Sequence, residues 1–223
     1  MKRTKLSDRA LPRYTRGEEI MNTVTHIVGG GFGCIMLTFC ILKPILFTRY
    51  SDLSAAIIYG LSLISVYTIS SIYHGLYPST GKKVMQVIDH CMIYFLIAGT
   101  YTPILICRFI PAYPAIGIFL LLLEWGLGIT AATLTAIDLK KFKVFSMICY
   151  IFMGWGIILF LPQAVAALGR SCFTLILIGG IIYSVGAVLF GLGTKIKWMH
   201  SVFHIFVILG SILHFIGIIE YVL

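Results

Sequence analysis

Apolar runs of about 20 residues, each long enough to cross a hydrocarbon core of about 30 Å, recur seven times along the chain. They lie near 22–42, 54–75, 85–107, 113–135, 144–165, 172–192 and 198–221. Polar residues gather between the runs instead of alternating within them, so the pattern predicts spanning helices and not barrel strands. The fold expected is an all-α integral membrane protein with seven transmembrane helices. Residues 1–18 form a basic N-terminal tail and residues 19–223 the seven-helix domain, whose short loops leave no room for a soluble domain. The first run is too long for the h-region of a signal peptide and lacks a small-residue cleavage motif, so it is expected to remain as helix one. Gly29, Gly30, Gly31 and Gly33 in the first run, and Gly179, Gly180 and Gly186 in the sixth, suit close helix packing. No internal repeat of the transporter kind is visible.

Composition narrows the reading. The chain is 59% hydrophobic and 11% charged, against roughly 45–50% and 25% in soluble proteins. A fold of this size cannot hide so much apolar surface from water. That excludes a Rossmann domain, a nucleic-acid-binding module and a disordered chain. The 17 Lys and Arg against 8 Asp and Glu give a net charge of +9, and in a membrane protein the placement of that charge sets orientation. Lys2, Arg3, Lys5, Arg9, Arg13 and Arg16 lie in the tail; Lys82, Lys83, Lys140, Lys141, Lys143, Lys195 and Lys197 lie in the loops on the same side. Only Lys43, Arg49, Arg108 and Arg170 fall on the other side. This bias predicts a cytoplasmic N terminus and an extracytoplasmic C terminus in the inner (plasma) membrane, the reverse of a G-protein-coupled receptor. The six cysteines include no C-x-x-C pair and read as buried free thiols.

Ionisable residues inside membrane helices are costly and tend to be functional. With this orientation Ser70 and His74 end helix two, Asp89 and His90 begin helix three, His200 and His204 begin helix seven, and Glu19, Asn22 and His26 begin helix one. All sit at one depth. His200 and His204, four residues apart, are about 40° apart around a helix and about 6 Å along it, so both rings can face one ion. His74 can supply a third imidazole, leaving one position open as catalytic zinc requires. Asp89 suits an outer carboxylate that handles the proton of a water, and Ser70, on the same face as His74, can orient water or substrate. Imidazole ligation without thiolate favours Zn²⁺. Glu19, Asn22 and His26 share an i, i+3, i+7 stripe that could support the ligands, although Glu19 suits a helix cap equally well. His214 lies about 21 Å from His200 along the helix, too far to share the ion, and is expected to bond within the bundle or line a cavity. His90 is expected to point away from Asp89, and Glu124 lies mid-span with no evident partner.

Four stretches carry a family resemblance: E-E-I-M-N-T-V-T-H (18–26), S-S-I-Y-H (70–74), D-H-C-M-I-Y-F-L-I-A-G-T-Y-T-P (89–103) and H-S-V-F-H-I-F-V-I-L-G-S-I-L-H-F (200–215). In this order they resemble the bacterial haemolysin III family, within the progestin and adiponectin receptor superfamily. The resemblance implies a seven-helix protein with a zinc ion near the cytoplasmic face. It implies His74, His200 and His204 as ligands, Asp89 acting through water, and Ser70 beside them. The long N-terminal domain of the receptors is missing, so a hormone-receptor role is not implied. The superfamily extends to alkaline ceramidases, which cleave a lipid amide at a similar site.

The function expected is a zinc-dependent, membrane-embedded hydrolase of a lipid amide or ester that influences membrane lipid homeostasis, with a membrane lipid or fatty-acyl compound as partner and no nucleic acid. The alternative is a non-enzymatic channel, pore or lipid-state sensor with a structural zinc. A pore favours a polar stripe along several helices, whereas the polar residues here gather at one end.

Overall fold

The computed structural model describes residues 4–193 and 195–223; Lys2 and Arg3 of the counted tail lie outside them. Among the described residues there is no strand. Among the described residues, seven α-helices longer than one turn form the bundle: α1 (Arg16–Leu46), α2 (Leu53–Gly75), α3 (Thr80–Ile104), α4 (Pro114–Ile137), α5 (Lys143–Trp155), α6 (Leu161–Leu192) and α7 (Met199–Tyr221).

Local chemistry explains where they start. At α1 a capping box satisfies the first turn: the Glu18 N–H donates to Thr15 Oγ1 at 3.3 Å and the Thr15 N–H to Glu18 Oε2 at 2.8 Å. The helix therefore begins inside the stretch expected as tail. Ser79 caps α3 by accepting from the Lys82 N–H at 3.1 Å. Pro103 removes a donor near the end of α3, and a π-turn over Leu105–Phe109 follows it. Pro114 and Pro162 open α4 and α6, where a missing N–H costs nothing.

Helices long and apolar enough to cross a membrane number six among the described residues, because Lys143–Leu192 forms one continuous 50-residue stretch. The expected fifth and sixth spans both fall within it. The stretch is not straight. A 3₁₀ segment covers Gly156–Phe160, and Gly169 breaks the helical geometry with φ 77°, a conformation only glycine adopts freely. Trp155 Nε1 donates to Ser184 Oγ at 3.0 Å, yet 29 residues of straight helix would part them by about 43 Å. The chain folds back, and α5 lies antiparallel to the C-terminal half of α6.

Packing contacts pair the remaining helices antiparallel in turn. A Cβ on Gly60 of α2 would fall 2.5 Å from Leu37 of α1, so only glycine permits that approach. Gly29, Gly33, Gly179 and Gly186 also lie against neighbouring helices, whereas Gly31 and Gly180 have nothing within 4 Å. The outer surface is apolar: Ile20, Val24, Ile27 and Ile35 of α1 are exposed while Asn22 and His26 are buried. That inversion suits lipid as solvent. All six cysteines are free, as expected, but Cys34 on the lipid-facing side of α1 is exposed and Cys91 half-buried, so only four are the buried thiols expected.

At the far end of the bundle, two of the four basic residues hold the chain terminus. Arg49 donates to the carbonyls of Leu223 at 2.7 Å and Val222 at 2.9 Å, and Lys43 donates to that of Ile219. They satisfy carbonyls that the end of α7 leaves without intrahelical partners.

Candidate metal centre

Alternating helix directions bring the starts of α1, α3 and α7 and the end of α2 to one end of the bundle. There His74, His200 and His204 converge, all buried, with one nitrogen from each within 4.8 Å of the others. The Nε2 atoms of His74 and His204 each lie 3.2 Å from that of His200.

The outer nitrogens decide what this cluster can do. His74 Nδ1 is 2.7 Å from Glu19 Oε2 and donates to that carboxylate. His204 Nδ1 is 3.3 Å from the Asn22 carbonyl oxygen, which can only accept. Both rings therefore carry their proton on Nδ1 and turn a bare Nε2 lone pair inward. His200 turns its Nε2 toward both at 3.2 Å, so two inward lone pairs and a third imidazole nitrogen share a buried pocket, a donor set that fits a metal ion.

A polar shell holds these rings. Lys82, only 3% exposed, binds Glu19 Oε1 at 2.6 Å and the carbonyls of His74 and Leu76 at 3.2 and 2.9 Å. Ser201 donates to Asn22 Oδ1 at 2.6 Å. Glu19 and Asn22 thus reach the rings of His74 and His204 from helix one, while the cap role falls to Glu18. His26 stacks on His204 with ring centroids 3.7 Å apart and planes 14° apart. Both its ring nitrogens are buried without a partner.

Asp89 and Ser70 line one cavity with His26, His90, His200 and His204, and the Ser70 hydroxyl faces the Asp89 carboxylate. His90 corrects the expectation that it points elsewhere. Its Nδ1 donates to the Gln86 carbonyl at 2.8 Å, and its ring sits 3.8 Å from Asp89 Oδ2. The cavity, about 140 Å³, continues past Val66, Leu96 and Ile97 to Tyr183 and His214. From His200 to His214 is about 21 Å along α7, and nearly all of that length is apolar. His214 both lines it and donates from Nε2 to the Ile176 carbonyl at 2.9 Å. Glu124 is buried, with Oε2 unpartnered.

Tyr14 escaped sequence reasoning. It stacks on His200 at 4.9 Å with a 21° interplanar angle and approaches His74 at 5.7 Å. Burial, with Glu19 and Asp89 nearby, pushes its phenol above the ordinary value. Tyr14 belongs to a tail that is tied down: Arg9 donates to the Ile137 carbonyl at 3.2 Å, and the Thr4 N–H to Asp138 Oδ2 at 2.8 Å. Only an aromatic in a basic tail could have signalled this.

The fold and the site together define a helical membrane protein with a buried three-histidine cluster at one end. The chain belongs to the haemolysin-III related family, which it matches over residues 14–215. It is 33% identical over 208 residues to the hemolysin-3 homolog of Bacillus subtilis, covering 93% of this chain and 96% of that one. It is 35% identical over 206 residues to hemolysin-3 of Bacillus cereus, covering 92% of each. The human monocyte to macrophage differentiation factor is more distant, 28% identical over 176 residues, 74% of this chain and 68% of that protein.

Proposed function

We propose that this protein is a zinc-dependent hydrolase of a lipid amide or ester, embedded in the plasma membrane. The observation that carries the reading is the single cavity that joins Ser70, Asp89, His200 and His204 to a long apolar compartment. His74, His200 and His204 would hold the zinc, which when bound supplies Lewis acidity to a carbonyl and to water. Asp89 takes a proton from the attacking water and returns it to the leaving group. Ser70, facing that carboxylate, holds the water in line. The apolar compartment receives the acyl chain and excludes competing water. Three converging protein ligands, with no fourth among the described residues, favour an open catalytic position over a closed structural site.

The topology that serves this chemistry has seven crossings, the N terminus cytoplasmic and the C terminus outside. The 50-residue stretch Lys143–Leu192 would be about 75 Å long if straight, more than twice a bilayer core, and its fold-back between Trp155 and Ser184 suits two crossings. The lysine and arginine bias toward the histidine end supports the orientation.

The test is turnover of ceramide-like amides and acyl-ester lipids by purified protein, zinc-loaded and chelated. Cleavage that needs zinc and drops at least a hundredfold in Asp89→Ala is expected. Full turnover by metal-free protein, or by the Asp89 variant, would overturn the mechanism.

A further inference from the structure

Beyond the histidines the cavity meets a second chamber of about 470 Å³. His90, Met147, Tyr150, Phe190 and His200 wall both, so these side chains alone divide them. The second chamber is of a different kind. The tail closes one side with Arg9 and Arg13, and Lys140 of the α4–α5 connection and Lys143 at the start of α5 lie on the other; among the described residues Asp8 is its one acidic lining residue. Arg9 is 8% exposed, and with one guanidinium nitrogen on the Ile137 carbonyl its Nε–H is left buried without an acceptor. Among the described residues, Arg13, Lys140 and Lys143 make no ion pair. Orientation bias accounts for cations on this side of a membrane protein. It does not account for a buried arginine with a spare donor.

A cationic compartment that shares a wall of side chains with an apolar one matches an amphiphile with an anionic head and an acyl tail, seated where those side chains part. Guanidinium and ammonium groups bind phosphate oxygens through charge-assisted bonds. We propose that the basic chamber is a headgroup subsite for a phosphate-bearing lipid whose acyl chain lies in the 140 Å³ cavity. As a statement about substrate class this rests on the hydrolase reading; as a statement about binding it stands apart.

The experiment is calorimetric titration of the full chain in neutral detergent with zinc chelated, so that no turnover enters. Probes are lysophosphatidic acid, lysophosphatidylcholine of the same chain length, and inorganic phosphate. The phosphate monoester should bind at least tenfold more tightly than the zwitterion, weaken with rising salt, and greatly outbind inorganic phosphate. Lys140→Gln/Lys143→Gln, on exposed side chains that leave the fold intact, should lose about tenfold in affinity, and Arg9→Gln a comparable amount. Equal binding of the two lipids, a preference retained in both variants, or inorganic phosphate binding as tightly as the lipid would overturn the proposal. A protein that binds the anionic lipid selectively yet cleaves no lipid amide or ester would sink the hydrolase reading and leave this one intact.

Discussion

Removing the Glu19 carboxylate separates a tuned metal site from a fortuitous cluster of histidines. Its side chain is 22% exposed and makes two charged contacts, His74 Nδ1 at 2.7 Å and Lys82 Nζ at 2.6 Å. The first keeps the proton of His74 on Nδ1 and the lone pair of Nε2 directed at the ion. Loss of such an outer carboxylate lowers metal affinity by about 10–100-fold, or about 1.4–2.7 kcal/mol. One hydrogen bond to a charged group, worth about 1.5–3 kcal/mol, gives the same scale. Lys82 keeps the His74 and Leu76 carbonyls, so the helices stay together without the carboxylate. Glu19→Ala should therefore weaken zinc binding by one to two orders of magnitude in a chelator competition titration. Glu19→Gln, which retains an acceptor but no charge, should fall between it and the parent. Zinc-induced thermal stabilisation should shrink by the same free energy. Zinc affinity in Glu19→Ala within twofold of the parent protein would refute the tautomer reasoning.

Gly179→Ala should cost about 1–3 kcal/mol through overpacking. Its Cβ would lie 2.3 Å from a ring carbon of His214, and that ring is pinned to the Ile176 carbonyl. Gly31→Ala, with nothing within 4 Å, should be neutral or slightly stabilising in the same unfolding measurement in mixed micelles. Asp138 is held down to about 2 by the N–H groups of Thr4 and Lys141. Its folded value lies below the unfolded one, so its contribution to tail docking is complete above about pH 4 and lost as pH falls through about 2. Hydrogen exchange at the Thr4 amide should show docking still in place at pH 3.5. Release at pH 5 would contradict it, and Asp138→Asn should remove the dependence. Replacing Tyr14 by Leu removes an aromatic stack worth about 0.5–1.5 kcal/mol; zinc affinity should fall less than tenfold and zinc release in a stopped-flow chelator assay should quicken.

The helices were legible because lipid enforces long apolar runs, and the histidine cluster because helical periodicity puts His200 and His204 on one face. The expected depth of His74 was also enough to bring it to them. Helix continuity was harder to read. Gly156 and Gly169 look like any other glycine in an apolar run, so the 3₁₀ segment and the break at Gly169 could not be separated from ordinary packing positions. His90 was misjudged because adjacent residues on a helix are about 100° apart. The cavity nonetheless reaches both Asp89 and His90, because side chains of α5, α6 and α7 leave space around this end of α3. The apolar compartment depends on which side chains from α3, α5, α6 and α7 fail to meet, which no single segment encodes.

The basic residues carry a more general lesson. Counted for orientation alone, Lys82 and Arg9 are two votes among many, yet each is buried and bonded to groups far along the chain. The orientation rule explains why cations collect at one end of a membrane protein, and it is indifferent to which of them point inward. A lysine drawn inside the protein must find a partner, and the partner here is the carboxylate that fixes His74. The positive charge gathered at this end is thus available, at no further cost in composition, to hold the carboxylate beside His74 and to line a basic chamber. A charge count speaks to orientation alone; burial sets apart Lys82 and Arg9, which also shape the histidine cluster and the basic chamber.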